Sequence, residues 1–122
     1  MKVLLSIKPE FALKIFDGAK KYEFRKCIFK RNNIRTIVVY ASWPMQQVIG
    51  EFDIENILCE ESERLWEITQ EFSGITKQFF DAYFANKNEA YAIKVGEIRK
   101  YPNPKKLSDY DIFYAPQSFA YL

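Results

Sequence analysis

Residues 17–26 read DGAKKYEFRK, and the disposition of this stretch decides the fold. It crowds Lys20, Lys21, Glu23, Arg25 and Lys26 around two aromatic residues, Tyr22 and Phe24. An extended backbone sends successive side chains to opposite faces. Tyr22 and Phe24 then share one face, toward a core, while Lys21, Glu23 and Arg25 share the other. Gly18 allows a turn ahead of the strand and puts Lys20 at the bend. Two outcomes are open at this point. On an edge strand, Glu23 and Arg25 form an exposed ion pair worth about 0–1 kcal/mol. On a concave surface, the same charges line a binding or catalytic groove.

Working outward, residues 2–8 (KVLLSIK) are β-prone and read as a first strand. Pro9 suits the first turn of a helix, where its missing N–H costs nothing. Phe11, Ala12, Ile15 and Phe16 make the buried stripe of that helix, which Gly18 stops. The charged stretch becomes a second strand over 20–28. A basic loop, 30–35 (KRNNIR), leads to a third strand, Thr36–Ala41 (TIVVYA), apolar on both faces and therefore central. Trp43 and Pro44 end it. Residues 47–58 read as a fourth strand with Val48, Phe52, Ile54 and Ile57 inward. The spacing changes parity near Ile54, which predicts a bulge or an early end.

A helix over 61–72 carries Leu65, Ile68 and Phe72 and ends at Ser73-Gly74. Thr76 caps the next, with Ile75 and Phe80 as a hydrophobic staple. The aromatic face of that helix, Phe79, Phe80, Tyr83 and Phe84, reads as core. Residues 90–101 alternate as a fifth strand, and 118–122 close the fold after a loop. The order β-α-β-β-β-α-α-β-β predicts one α+β domain over 1–122, a small mixed β-barrel with about three peripheral helices. A doubly wound parallel sheet needs a helix between most strands, and here strands two to four follow directly.

Composition narrows the chemistry. At 48% hydrophobic and 17% aromatic residues, disorder is excluded for the bulk of the chain. No apolar run approaches the ~18 residues of a membrane span. The short apolar run at the N-terminus meets Lys8 and Pro9 at once, unlike a signal peptide, so a cytoplasmic location is expected. With no histidine, His-based nucleophile activation is excluded. Cys27 and Cys59 match no zinc-ligand spacing and read as small core residues. Neither a metal nor another cofactor is expected. Acid–base work falls to Lys, Glu, Asp or Tyr with shifted pKa values.

The net charge of +2 hides an asymmetry: residues 1–35 hold ten Lys/Arg against three Asp/Glu, and 51–71 hold eight acids against Arg64 alone. A basic first third attracts phosphates, unless the two regions neutralise one another across the fold.

Gly18, Lys20, Glu23 and Arg25 stand in the order G-x-K-x-x-E-x-R. This resembles the signature of the ASCH domain, a member of the PUA-like β-barrels. The likeness continues through IVVYAS, VIGEFDI, AYAIKV and the closing PQSFAYL, so it covers nearly the whole chain. The resemblance implies a cleft beside the first helix and second strand that takes RNA or a modified nucleoside. In that frame Lys20 and Arg25 hold anionic or carbonyl oxygens, and Glu23 orients them or reads a base edge. Ser6, Lys8, Ser42, Gln117 and Ser118 lie nearby, and Trp43 is either a stacking platform or a plug beside Pro44.

The implied role is RNA metabolism, in translation or transcription control. An alternative is catalysis in the same cleft by Lys20 and Glu23. One branch of the family hydrolyses N4-acetylcytidine with a Lys, a Thr and a distant Glu; here Glu23 occupies the Thr position, and Glu51 or Glu55 is the candidate acid. Other ASCH proteins are ribonucleases, and a Lys/Glu/Arg cluster suits a metal-free one. A third reading is a protein-interaction adaptor using the acidic and aromatic surface of 60–84.

Overall fold

The computed structural model describes all 122 residues. β1 (Lys2–Ile7) and β3 (Thr36–Ala41) run parallel from Lys2 opposite Thr36 to Ile7 opposite Ala41. Val3, Leu4, Leu5 and the β3 run from Ile37 to Ala41 are all buried, as hydrophobicity on both faces requires. Between these strands the chain makes α1 (Pro9–Phe16) and β2 (Tyr22–Arg25). Pro9 sits in the first turn, and Gly18 follows the helix at φ +87°, a conformation with little strain only for glycine.

β4 (Gln47–Glu60) and β5 (Ala90–Lys105) form a long antiparallel ribbon and carry α2 (Ser62–Thr69) and α3 (Lys77–Tyr83) between them. β6 (Phe119–Tyr121) then pairs antiparallel with β1. The sheet order is β2-β5-β4-β3-β1-β6. Register slips in the ribbon follow Val48, Phe52 and Ile54, so the parity change near Ile54 is a bulge and not a strand end. Bulges bend and twist a ribbon, and here they curl the sheet into a half-barrel.

Its two edges meet through a side chain: Arg25 on β2 donates from Nη1 to Ser6 O (3.3 Å) on β1. From Nη2 it donates to the carbonyl (3.2 Å) and the hydroxyl (2.7 Å) of Ser118, just before β6. The α+β half-barrel with three helices agrees with the architecture expected from the sequence.

Several boundaries move, each for a local reason. β2 begins only at Tyr22 because the N–H groups of Lys20 and Lys21 bind Lys14 O (3.0 Å) and Phe72 O (2.9 Å) instead of a neighbouring strand. β5 continues through Pro102 and Pro104, because β2 pairs only with Tyr91 to Lys94 and leaves that edge free. Residues 61–72 divide into α2 and a 3₁₀ turn, Gln70–Phe72, and a second such turn spans Leu107–Tyr110. The cysteines are not core residues: both are exposed, Cys27 just past the end of β2 and Cys59 near the end of β4.

A second core cluster fixes the helices to β2. Phe24, Leu65, Phe80, Phe84, Ala90 and Ala92 are buried together, and Phe80 meets Phe24 edge-on at 5.3 Å. Thr76 Oγ1 accepts from the N–H of Phe79 (3.1 Å) and caps α3 as expected. Phe80 and Phe84 lie inside the monomer, which removes two of the four rings of the aromatic surface an adaptor reading needs, while Phe79 stays exposed. No helix is long and apolar enough to cross a membrane. Phe80→Ala is expected to cost about 3–5 kcal/mol in urea denaturation, because this one ring joins α3, α2 and β2.

Candidate functional site

The turn after α1 sets the site. Asp17 Oδ1 accepts from the N–H of Ala19 (2.8 Å), and the chain reverses so that Lys20 points inward. Its side chain is 1% exposed. Gly74 closes over it: at φ +70° a Cβ on residue 74 would be strained, and it would lie 2.6 Å from Cβ and Cγ of Lys20. Lys20 Nζ donates to Ser73 O at 2.6 Å and stands 4.8 Å from the ring centre of Phe24 and 5.4 Å from that of Phe11. Burial away from water brings its pKa down to about 8, against the pull of Glu23 and with help from Lys14.

Lys20 forms part of the wall of a cavity of about 380 Å³ between α1, β2 and the start of α3, within the usual range for small-ligand sites. Glu23, Arg25, Ser6, Lys8, Ser42 and Gln117 line the same cavity. Ser118 is held behind it by Arg25. Trp43 does not line it and stands 76% exposed.

Glu23 and Arg25 form a buried pair: Nη1 donates to Oε2 at 3.0 Å, with the side chains 11% and 7% exposed for Arg25 and Glu23. The exposed-pair alternative for this strand is therefore corrected. With Ser6 O and the two Ser118 oxygens, all four hydrogens on the terminal nitrogens of Arg25 are engaged. Arg25 thus positions Glu23 and has no terminal N–H left for a ligand. Glu23 Oε1 makes no hydrogen bond within the protein, and no enclosed side-chain polar atom is left unpartnered, so Oε1 opens onto the cavity.

Glu23 is the one carboxylate of the cavity wall. Glu51 is engaged elsewhere: its carboxylate accepts from Lys2, Arg99 and Tyr101. Burial opposes its ionisation, but these bonds outweigh burial and hold its pKa below the ordinary value. Lys2 lies four residues from Ser6 along β1, a strand distance of ~13 Å. Glu55 is exposed and paired with Lys94 at 2.8 Å. Neither is placed to be the acid partner of Lys20.

Sequence reading passed over several wall residues. Phe11, Phe79 and Tyr83 read as core stripe, yet they face the cavity together with Ile75 and Pro116. A signal was present: residues 79/83 and 80/84 are two adjacent i, i+4 pairs on α3, and only Phe80 and Phe84 are buried. Burial pushes the Tyr83 hydroxyl pKa up. Ser73-Gly74 read as a helix end and proves to be the clamp on Lys20.

Fold and cavity together are those of an ASCH domain protein of the PUA-like class. The chain is similar to the crystal structure of ASCH from Zymomonas mobilis, with a TM-score of 0.90 and 28% identity over 99% of this chain and 87% of that one. Residues 2–112 match the family described as "Domain of unknown function (DUF365)", and the chain belongs to that family. It is 32% identical over 120 residues to "Large ribosomal subunit protein uL22" of Ureaplasma parvum, covering 98% of this chain and 39% of that protein. It is 31% identical over 91 residues to "ASCH domain-containing ribonuclease" of Zymomonas mobilis, covering 75% of this chain and 62% of that protein. The chain thus spans less than two thirds of either curated relative.

Lys20 titrates near 8 in the folded chain and near its ordinary 10.5 when unfolded. Between those values only the unfolded chain keeps the proton, so the stability of the folded state rises with pH. Lys20→Met removes the buried ammonium and should be most favoured, relative to wild type, below pH 8. Urea denaturation from pH 7 to 10.5 should show the wild type recovering about 3 kcal/mol against the variant. A difference that stays constant over that range would mean that Lys20 does not titrate there.

Proposed function

We propose that the cavity takes one unpaired nucleotide of RNA, so that the protein acts as an RNA-binding ASCH module. The carrying observation is the buried Lys20 Nζ beside the open Glu23 Oε1 within aromatic walls. A base can pack against Phe11, Phe79 and Tyr83 while its polar edge meets Lys20 as donor and Glu23 as acceptor. Lys8, exposed and 5.2 Å above the Phe79 ring, supplies a cation at the rim for a phosphate. A stacked duplex offers no base that can enter such a cavity, so single-stranded segments are the expected substrate class. The relative described as a ribonuclease supports the assignment to RNA.

A second reading, cleavage, is favoured by the pKa of Lys20 near 8. Neutral Lys20 takes the proton of a 2′-hydroxyl, the 2′-oxygen forms a bond to phosphorus, and the P–O5′ bond breaks. The products are a 2′,3′-cyclic phosphate and a 5′-oxygen that takes a proton from water or from the Lys8 ammonium. The acylcytidine amidohydrolase reading has less support, because its distant carboxylate has no counterpart in the cavity wall.

Single-stranded RNA should bind at low salt, weaken as salt rises, and lose at least tenfold in affinity in Lys20→Met and in Glu23→Gln. Absence of binding to both nucleosides and RNA defeats the proposal. If cleavage occurs, its rate should climb with pH and level off above about 8. A rate that falls through that range would instead make charged Lys20 the working form.

A further inference from the structure

A second concavity, of about 790 Å³, begins where β2 ends. Arg25 belongs to the cavity, and the next residue, Lys26, belongs to this groove. Lys26 Nζ lies 4.9 Å from the ring centre of Tyr83, which is itself a wall of the cavity. The two depressions therefore share a partition made of one ring and one ammonium group.

The groove is cationic, with Lys26, Lys30 and Lys87 against Glu89 alone. None of the three lysines makes an ion pair, so no acidic side chain of the protein neutralises their charge. Glu89 is turned to the Tyr91 hydroxyl and the Cys59 thiol, each at 3.5 Å.

The loops that carry these charges are anchored. Lys30 N–H donates to the Tyr121 hydroxyl at 3.0 Å, and the Arg31 guanidinium sits 4.0 Å from the centre of the same ring. Lys87 N–H donates to Phe84 O at 3.0 Å, directly after Asn86 at φ +65°. Unpaired ammonium groups on fixed loops, with Tyr91 among them, suit a polyanion that carries aromatic bases.

Resting on the reading of the cavity as a nucleotide site, we propose that this groove is a second subsite, for the phosphates of the nucleotides that follow the one in the cavity. The protein then engages a strand and not a lone nucleotide.

The test compares the four nucleoside 5′-monophosphates with single-stranded hexaribonucleotides by direct titration across a salt series. Wild type should bind a hexamer at least tenfold more tightly than any monophosphate. The surface double variant Lys30→Gln/Lys87→Gln should lose most of that advantage and leave monophosphate affinity unchanged. Its log–log salt slope for the hexamer should be shallower by about 1.4, at roughly 0.7 per phosphate contact on a single strand. Monophosphate binding without a hexamer advantage, or an unchanged slope in the variant, overturns the subsite while the cavity reading stands. Failure of both ligands to bind overturns the two readings together. Competition by polyglutamate as effective as that of RNA overturns the assignment to a nucleic-acid strand.

Discussion

Arg25 makes four hydrogen bonds from two nitrogens, and the cavity depends on where they go. A six-stranded sheet of this curvature leaves two edges facing each other without a backbone ladder between them. The guanidinium supplies the missing link, binding β1 through Ser6 O, the approach to β6 through Ser118, and its own strand through Glu23. Its planar fork fits this role, since several acceptors can be met at once with little loss of side-chain freedom. Removing a charge from water is costly, and the geometry compensates by satisfying every terminal hydrogen. Glu23 is held as a result, with one oxygen fixed and the other presented to the cavity.

Lys20 follows the opposite logic. Its burial makes the charged form unfavourable, and one backbone carbonyl, two ring faces and the charge of Glu23 compensate only in part. The protein keeps a group that strains against its surroundings, on the wall of its cavity. Such a trade of stability for a displaced pKa is what reactive and ligand-responsive sites require. Gly74 makes it possible sterically, because any larger residue there would push the backbone off the lysine stem.

Much of this was readable in the sequence where one local rule dominated. TIVVYA is central because it is apolar on both faces, and Thr76 caps because its hydroxyl suits an orphan N–H. The bulge near Ile54 was visible as a change of parity. Residues whose role depends on distant partners were harder to place. Cys27 and Cys59 are apolar by type and exposed by position, since each lies where a strand is ending. Glu51 was a plausible acid until the register set it opposite Arg99. Phe79 and Tyr83 share a helix with two buried rings, and only the approach of α1 decides that they face an opening. The charges of 20–25 needed the family frame to be read as a concave surface, because strand alternation alone fits an exposed pair equally well.

The pairing of β1 with β6 has one more effect. Leu122 N–H donates to Lys2 O at 3.0 Å, so the polypeptide enters and leaves side by side along one edge of the sheet. A unit of this shape can be joined to, or inserted in, a larger chain without stretching the barrel. The longer Ureaplasma parvum relative, of which the matching region is 39%, fits that pattern.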